Sequence, residues 1–426
     1  MFRSIKNKFK SEDNKRLLSN FLSLTILQGA NYILPLITLP YLVRVLGVEY
    51  YGLLAFAGVT IAYFGIITDY GFNLTATREI SIYRDDKEKV TEIFSSVITI
   101  KFLLMLVSFF LLVLLVLSFD KFKTNAFLYF ATFGIVVGQV LFPVWFFQGM
   151  ERMKYVMYLN VLSKLIFTVA IFIFVQEEKD FYIVPILTSL GYLIAGVLSL
   201  SLVKREFTIG FKSQKWETLV FYFKKSWYIF IANISNGIYT NSTVFILGLF
   251  TNNTIVGYFS AAERIIKIIQ SLFAPLFQAL YPYFSKKASV SKKEMLLISK
   301  KILYIVSTIA LFVSLVLFIS APFVVNIVLG KEFHESIQII QILSILPLTY
   351  VISNFLGTQI MLTNGKDKEY SNIFLYSTIL NLLLSVVIAP IFQAVGIAYV
   401  TLATEILFMF SMIFFIQKNE LNMFRL

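Results

Sequence analysis

Cysteine is absent from all 426 residues, which excludes disulfides and thiolate metal sites. A single histidine, His334, leaves no imidazole cluster to hold a metal, and no catalytic residue set is read in the chain. Charge is scarce: Asp, Glu, Lys and Arg make up 14% of residues, against about 25% in a soluble domain. No GxxxxGK[ST] phosphate loop occurs, so the chain is not expected to bind ATP as its energy source. No cofactor is expected.

Apolar residues fill the space that charge leaves. Hydrophobic side chains make up 58% of the chain, with 45 Phe and 23 Tyr, and the mean hydropathy is +0.80. A membrane span needs about 20 apolar residues. Twelve stretches meet this: 17–43, 50–68, 93–118, 124–148, 155–175, 181–203, 226–250, 255–283, 302–329, 337–362, 371–390 and 394–416. The run at 17–43 follows a basic segment, 1–16, but is too long for the apolar region of a signal peptide. It is read as the first span. The predicted class is an all-α polytopic membrane protein of 12 transmembrane helices.

The formal net charge of +13 would suit nucleic acid in a soluble protein. Here the basic residues lie between apolar runs, so their meaning is topological and no nucleic-acid partner is expected. Alternate loops and the termini hold 28 of the 37 Lys and Arg residues. The opposite loops hold five: Arg44, Lys121, Lys123, Lys179 and Lys331. The positive-inside rule then predicts both termini in the cytoplasm. Loops on the other side are short, which argues against a membrane enzyme with its chemistry in a large external segment.

A weak internal repeat supports two halves. GLLAFA at 52–57 matches GYFSAA at 257–262, and QGMERMKY at 148–155 resembles TNGKDKEY at 363–370. Six spans per half would make the repeats parallel. The expected organisation is an N-terminal lobe over 1–205, a cytoplasmic linker over 206–225 and a C-terminal lobe over 226–426. Gly29, Pro35 and Pro40 in the first span, and Pro275 and Pro282 in the eighth, are expected to permit bending.

Six ionisable residues fall well inside predicted spans: Lys101, Lys164, Glu263, Arg264, Lys267 and Glu405. Each costs about 2.5–3.5 kcal/mol at a helix centre, so they are expected to face water or one another. In SAAERIIKIIQSLF, 260–273, Glu263 and Lys267 share a helix face and can pair, leaving Arg264 to meet an anion. The stripe reads as a wet cavity wall or as an internal salt bridge. Lys101 and Lys164 read as cavity lining, or as snorkelling or helix-pairing groups. Glu405 reads as a proton site or a structural hydrogen-bonding group, and Glu263 as a tuner of its cations. Asp69 and Arg44 end spans and read as gates or as interfacial groups. Asn31, Asn233 and Asn236 can bond sugar hydroxyls or neighbouring helices.

The stretch LQGANYILPLITLPYLVRVLGVEYYGLLAFAGVTIAYFGIITDYGFNLTATREIS, 27–81, resembles the N-terminal region of bacterial polysaccharide flippases of the Wzx, or O-antigen transporter, type. PYLVRVLG, YYGLLAF and DYGFNLTATREIS carry the likeness, and QGMERMKY and NGKDKEY fit it. The resemblance implies a superfamily shared with MATE exporters and lipid II flippases, and two six-helix lobes around a central cavity. It implies an undecaprenyl-pyrophosphate-linked oligosaccharide as substrate, moved from the cytoplasmic to the periplasmic leaflet of the bacterial inner membrane. Membrane lipids, a polysaccharide polymerase and chain-length machinery would be its partners. Within such a family Arg264 and Lys267, with Lys101 and Lys164, would meet the pyrophosphate, and Glu263, Glu405 or Asp69 would couple an ion. Two further spans common in lipid II flippases do not follow, which favours the polysaccharide branch. The rival reading is a cation-coupled multidrug exporter of the same fold. Such an exporter wants an acidic interior, and these six residues sum to +2.

Overall fold

The computed structural model describes residues 12–419 and 421, and no strand occurs among them. The terminal segments 1–11 and 422–426, expected in the cytoplasm, lie outside the described residues. Among the described residues nine helices are long and apolar enough to cross a membrane.

The first helix, α1 (Glu12–Asp69), carries two predicted spans in one element. Its non-helical dihedrals fall at Gly47 (φ 67°, ψ 179°) rather than at Pro35 or Pro40. A residue without Cβ adopts that conformation at least cost. There follow α2 (Phe72–Ile82), α3 (Lys87–Ser118), α4 (Ala126–Leu141), α5 (Val144–Gly149), α6 (Met153–Phe174), α7 (Ile183–Phe207) and α8 (Trp216–Phe250). The second part of the chain holds α9 (Asn253–Ser271), α10 (Ala274–Val290), α11 (Lys292–Val324), α12 (Ser336–Leu343), α13 (Leu346–Asn354) and α14 (Asp367–Lys418). Two stretches widen into π-helix, Val325–Leu329 and Phe355–Met361. The last helix, α14, joins two predicted spans across a break at Gln393 (φ 48°, ψ −139°).

The chain divides into two compact units. One comprises Met1–Tyr41 and Ala57–Ile238, the other Leu42–Phe56 and Tyr239–Leu426. The chain therefore changes unit twice inside α1 and once inside α8. The stretch 206–225 is packed into the first unit. Ile209, Leu219 and Tyr222 are buried in that unit's core, and Lys212 N donates to Ser95 Oγ at 3.0 Å.

The first unit is built on small-residue contact and a cluster of rings. A Cβ at Gly138 would run into Tyr192, and one at Gly196 into Leu141 and the Gly138 carbonyl. Those positions let α4 and α7 approach at backbone distance, the usual way membrane helices gain dispersion contact. Trp145, Phe146 and Phe147 are fully buried beside Phe94, and Phe94 and Phe146 meet edge to face at 5.5 Å.

Asp-Tyr-Gly at 69–71 forms a corner of this unit. Tyr70 and Gly71 both take positive φ. The Tyr70 ring stacks on Phe223 at 4.3 Å and on Phe230 at 4.5 Å. The Gly71 position has no room for a Cβ, which would meet Ile229 and Phe230. One helical turn further on, Thr75 and Ser226 hydroxyls bond at 2.7 Å, and Glu79 pairs with Lys225 at 2.8 Å. The segment DYGFNLTATREI thus serves to dock the early part of α8.

The second unit's core gathers Phe277, Phe284, Phe355, Val351 and Met412. Its helix contacts include a reciprocal pair of glycines. A Cβ at Gly52 would overlap the Asn253 carbonyl, and one at Gly257 would overlap the Val48 carbonyl.

The stretches 148–155 and 363–370 hold turns of the same geometry. Arg152 N donates to Phe147 O at 2.8 Å and Glu151 N to Gln148 O at 3.0 Å. Lys366 N donates to Met361 O at 3.0 Å and Gly365 N to Leu362 O at 3.1 Å. Both turns put one residue in the left-handed region, Glu151 (φ 55°) and Gly365 (φ 69°). This is the helix-ending geometry that glycine usually supplies. The structural match pairs Glu151 with Gly365, one position away from the pairing that the letters suggest.

Candidate functional site

The predicted eighth span folds as two helices, because Pro275 has no N–H to donate back to Ser271. Asn252 caps α9 by accepting from Ile255 N at 2.9 Å. Val256, Phe259, Ala262 and Ile266 recur at helical spacing and are buried. That stripe fixes the rotation of α9 and leaves Arg264 and Lys267 on its exposed face.

Glu263 and Lys267 form the ion pair that their spacing predicts, at 2.9 Å. Lys267 Nζ also donates to the Thr240 carbonyl of α8 at 3.4 Å. Among the described residues Arg264 makes no ion pair or hydrogen bond. Its charge and that of Glu263 act on the Tyr51 hydroxyl, which lies beyond the Gly47 break and in the same unit. The patch therefore holds one neutralised pair and one uncompensated guanidinium. A guanidinium presents five N–H donors in a plane and can grip a phosphate with two at once.

Glu405 is not alone in its span. The Tyr239 hydroxyl donates to its Oε1, and the neighbouring Thr404 accepts from Asn381 Nδ2 at 2.8 Å. Tyr239 and Thr240 are consecutive on α8, so Glu405 and Lys267 anchor on adjacent residues of one helix. Arg44 donates to the Ile327 carbonyl in the π-helical turn Val325–Leu329.

The remaining predicted residues belong to the first unit. Lys101 is 4% exposed and lies 3.7 Å from Asp69, so these two residues, predicted in separate roles, meet one another. Lys164 Nζ donates to Asn31 Oδ1 at 2.5 Å, which joins two more. Asn233 is half-buried and Asn236 exposed, both on α8. The structure thus places Glu263, Arg264 and Lys267 in one charged patch and forms three polar pairs, Asp69–Lys101, Asn31–Lys164 and Tyr239–Glu405, while Arg44, Asn233 and Asn236 stand apart from both.

Tyr51, Tyr239, Thr240 and the Glu79–Lys225 pair were not predicted. Tyr239 lies in the polar run NISNGIYTNST of α8, which singles out its asparagines to the eye. Its partner lies 166 positions away, and helical spacing carries no signal over that separation. Lys225 was counted only as loop charge.

Residues 17–287 match the family described as "Polysaccharide biosynthesis protein". The chain is 34% identical over 405 residues to a protein of Escherichia coli (strain K12) named "Putative O-antigen transporter", covering 95% of this chain and 98% of that one. A protein of Shigella dysenteriae with the same name is 28% identical over 394 residues, covering 92% and 98%. Among solved structures, "Lipid II flippase MurJ, inward closed conformation" superposes with a TM-score of 0.70 at 14% identity, covering 96% of this chain and 89% of that one. An inward-facing multidrug resistance MATE family transporter of the MOP superfamily gives 0.65 at 14% identity, covering 90% and 95%. At that identity the two structures speak to the fold alone, which is the one implied by the motifs at 27–81. The family match and the 34% relative carry the same resemblance to a conclusion: this polytopic membrane chain belongs to the polysaccharide biosynthesis protein family, as a Wzx-type member.

Proposed function

We propose that the chain is a flippase for undecaprenyl-pyrophosphate-linked oligosaccharide, moving it from the cytoplasmic to the periplasmic leaflet by alternating access. The observation that carries the reading is Arg264, an exposed cation without an ion-pair partner among the described residues, set on the exposed face of an amphipathic helix whose opposite face is buried. A bare guanidinium is costly beside hydrocarbon, and a pyrophosphate supplies both the countercharge and paired oxygen acceptors for its N–H groups. The O-antigen transporter name of the 34% relative supports the same substrate class.

In this reading Arg264 binds the pyrophosphate, and Lys267, held by Glu263 and Thr240, adds positive potential at its side. Lys101 and Lys164, paired to Asp69 and Asn31 within the first unit, are secondary candidates for the anionic head. Asn233 and Asn236 meet sugar hydroxyls. Arg44 secures the π-turn at 325–329 and acts as an outer gate post. Glu405 is the group most suited to ion coupling, because Tyr239 can hold either protonation state. The helices broken at Gly47 and Gln393, together with α8, bring the nine apolar helices to twelve crossings, with both termini cytoplasmic. A membrane potential negative inside favours export of the anionic head by about 2.3 kcal/mol per charge per 100 mV.

Cells lacking this protein test the reading. Lipid-linked repeat units should accumulate and surface polysaccharide should disappear, with wild-type protein restoring both. Restored drug resistance with unchanged polysaccharide would instead place the chain among the drug exporters.

A further inference from the structure

The second unit holds a cleft of about 420 Å³ between α10 and the helix that widens at Phe355–Met361. This lies within the range of about 300–1,000 Å³ found for small-molecule sites. Its polar lining is neutral: Gln278, Asn354, Thr358 and Gln359, with the rings of Tyr281 and Tyr350 beside them. None of the charged residues discussed above lines it.

The deep end of the cleft is short of donors. Gln359 is 1% exposed, and its Nε2 donates to the Phe277 carbonyl at 3.0 Å and to Thr358 Oγ1 at 3.0 Å. A carbonyl can only accept, so the amide nitrogen must face Phe277 and the orientation of the side chain is fixed. Gln359 Oε1 is then left buried without a partner among the described residues. Pro282, inside α10, has no N–H for the Gln278 carbonyl one turn back. Gln359 Oε1 is thus a buried acceptor in a neutral cleft without its usual donor, which is costly. The widened turn at 355–361 belongs to a class often found at functional sites.

A ligand suited to this cleft is uncharged, rich in O–H or amide N–H donors, and has an apolar face for the tyrosine rings. Neutral and acetamido sugars have that chemistry. We propose that the cleft is a saccharide subsite, holding a neutral or N-acetylated sugar of the transported molecule away from the Arg264 patch. This rests on the flippase reading for the identity of the sugar's carrier.

The natural absence of cysteine makes a direct test possible. Gln278→Cys places one thiol at the exposed rim of the cleft, and its maleimide labelling rate is followed in nanodiscs. The probes are undecaprenyl-pyrophosphate-linked repeat unit extracted from the native host, and bare undecaprenyl pyrophosphate. The sugar-bearing lipid should slow labelling several-fold and the bare lipid should not. Adding Gln359→Leu should abolish that protection while the reporter still labels at its unliganded rate. Equal protection by both lipids would overturn the proposal in favour of a lipid-filled groove, and protection by neither would overturn it outright. Transport by the wild-type protein in vesicles is measured separately, so a failed flippase reading shows as absent transport whatever the labelling result.

Discussion

Gly52 and Gly257 pack reciprocally within one unit: the space for a side chain at each is taken by backbone next to the other. They are also the matching glycines of GLLAFA and GYFSAA, at 52 and 257. The two glycines that these stretches align are therefore in contact. Backbone cannot move aside as a flexible side chain can, so both positions should reject any Cβ.

Gly257→Ala should lower thermal stability in detergent by about 1–3 kcal/mol or more, the usual cost of overpacking. Gly58→Ala is the matched control, because nothing lies within 4 Å of its added Cβ. Gly58→Ala should match the wild type or exceed it slightly, since alanine favours helix. Equal melting of the two variants would show that the close approach does not exist.

Lys101 and Asp69 should behave as a unit. Asp69→Asn leaves the buried Lys101 charge unmatched, at a cost of about 3–5 kcal/mol, and Lys101→Met leaves the half-buried Asp69 unmatched at a smaller cost. The double variant should recover most of the membrane abundance lost by the singles. If Lys101 served only the substrate, the double variant would gain nothing over Lys101→Met. Abundance and polysaccharide export read on the same cells separate those cases.

Glu405 should tolerate amide but not hydrocarbon. Glu405→Gln keeps an acceptor for the Tyr239 hydroxyl, whereas Glu405→Leu leaves that hydroxyl unsatisfied at about 1–3 kcal/mol. The expected order of melting temperature is wild type, then Gln, then Leu. If the carboxyl couples an ion, Glu405→Gln protein will be well folded and insensitive to a proton or sodium gradient that accelerates the wild type.

The all-helical membrane class was legible in apolar runs of span length, because hydrocarbon permits few backbone arrangements and runs of that length suit helices. The Glu263–Lys267 pair was legible as well, since both partners lie on one helix and four residues fix their separation. The partners of Lys101, Lys164 and Glu405 were not. Each pair joins different helices, and the spacing of residues along one helix carries no record of which other helix it meets. The break at Gly47 was also hidden, because Pro35 and Pro40 carry the stronger local signal while the helix continues through both. The motif DYGFNLTATREIS was recognisable as family text, but its docking of α8 through Tyr70, Gly71, Thr75 and Glu79 emerges only with residues 222–230 in place.

The central claim, that Arg264 receives a lipid pyrophosphate which the protein carries across the membrane, is tested most directly in proteoliposomes. Lipid-linked oligosaccharide is loaded into the inner leaflet, and its arrival outside is read by an impermeant sugar-cleaving enzyme. Wild-type protein should expose the sugar far faster than protein-free vesicles. Arg264→Glu should fall to the protein-free rate, and Lys267→Gln, whose charge is already matched by Glu263, should retain part of the activity. Arg264→Glu protein that inserts normally and transports at the wild-type rate would contradict the account.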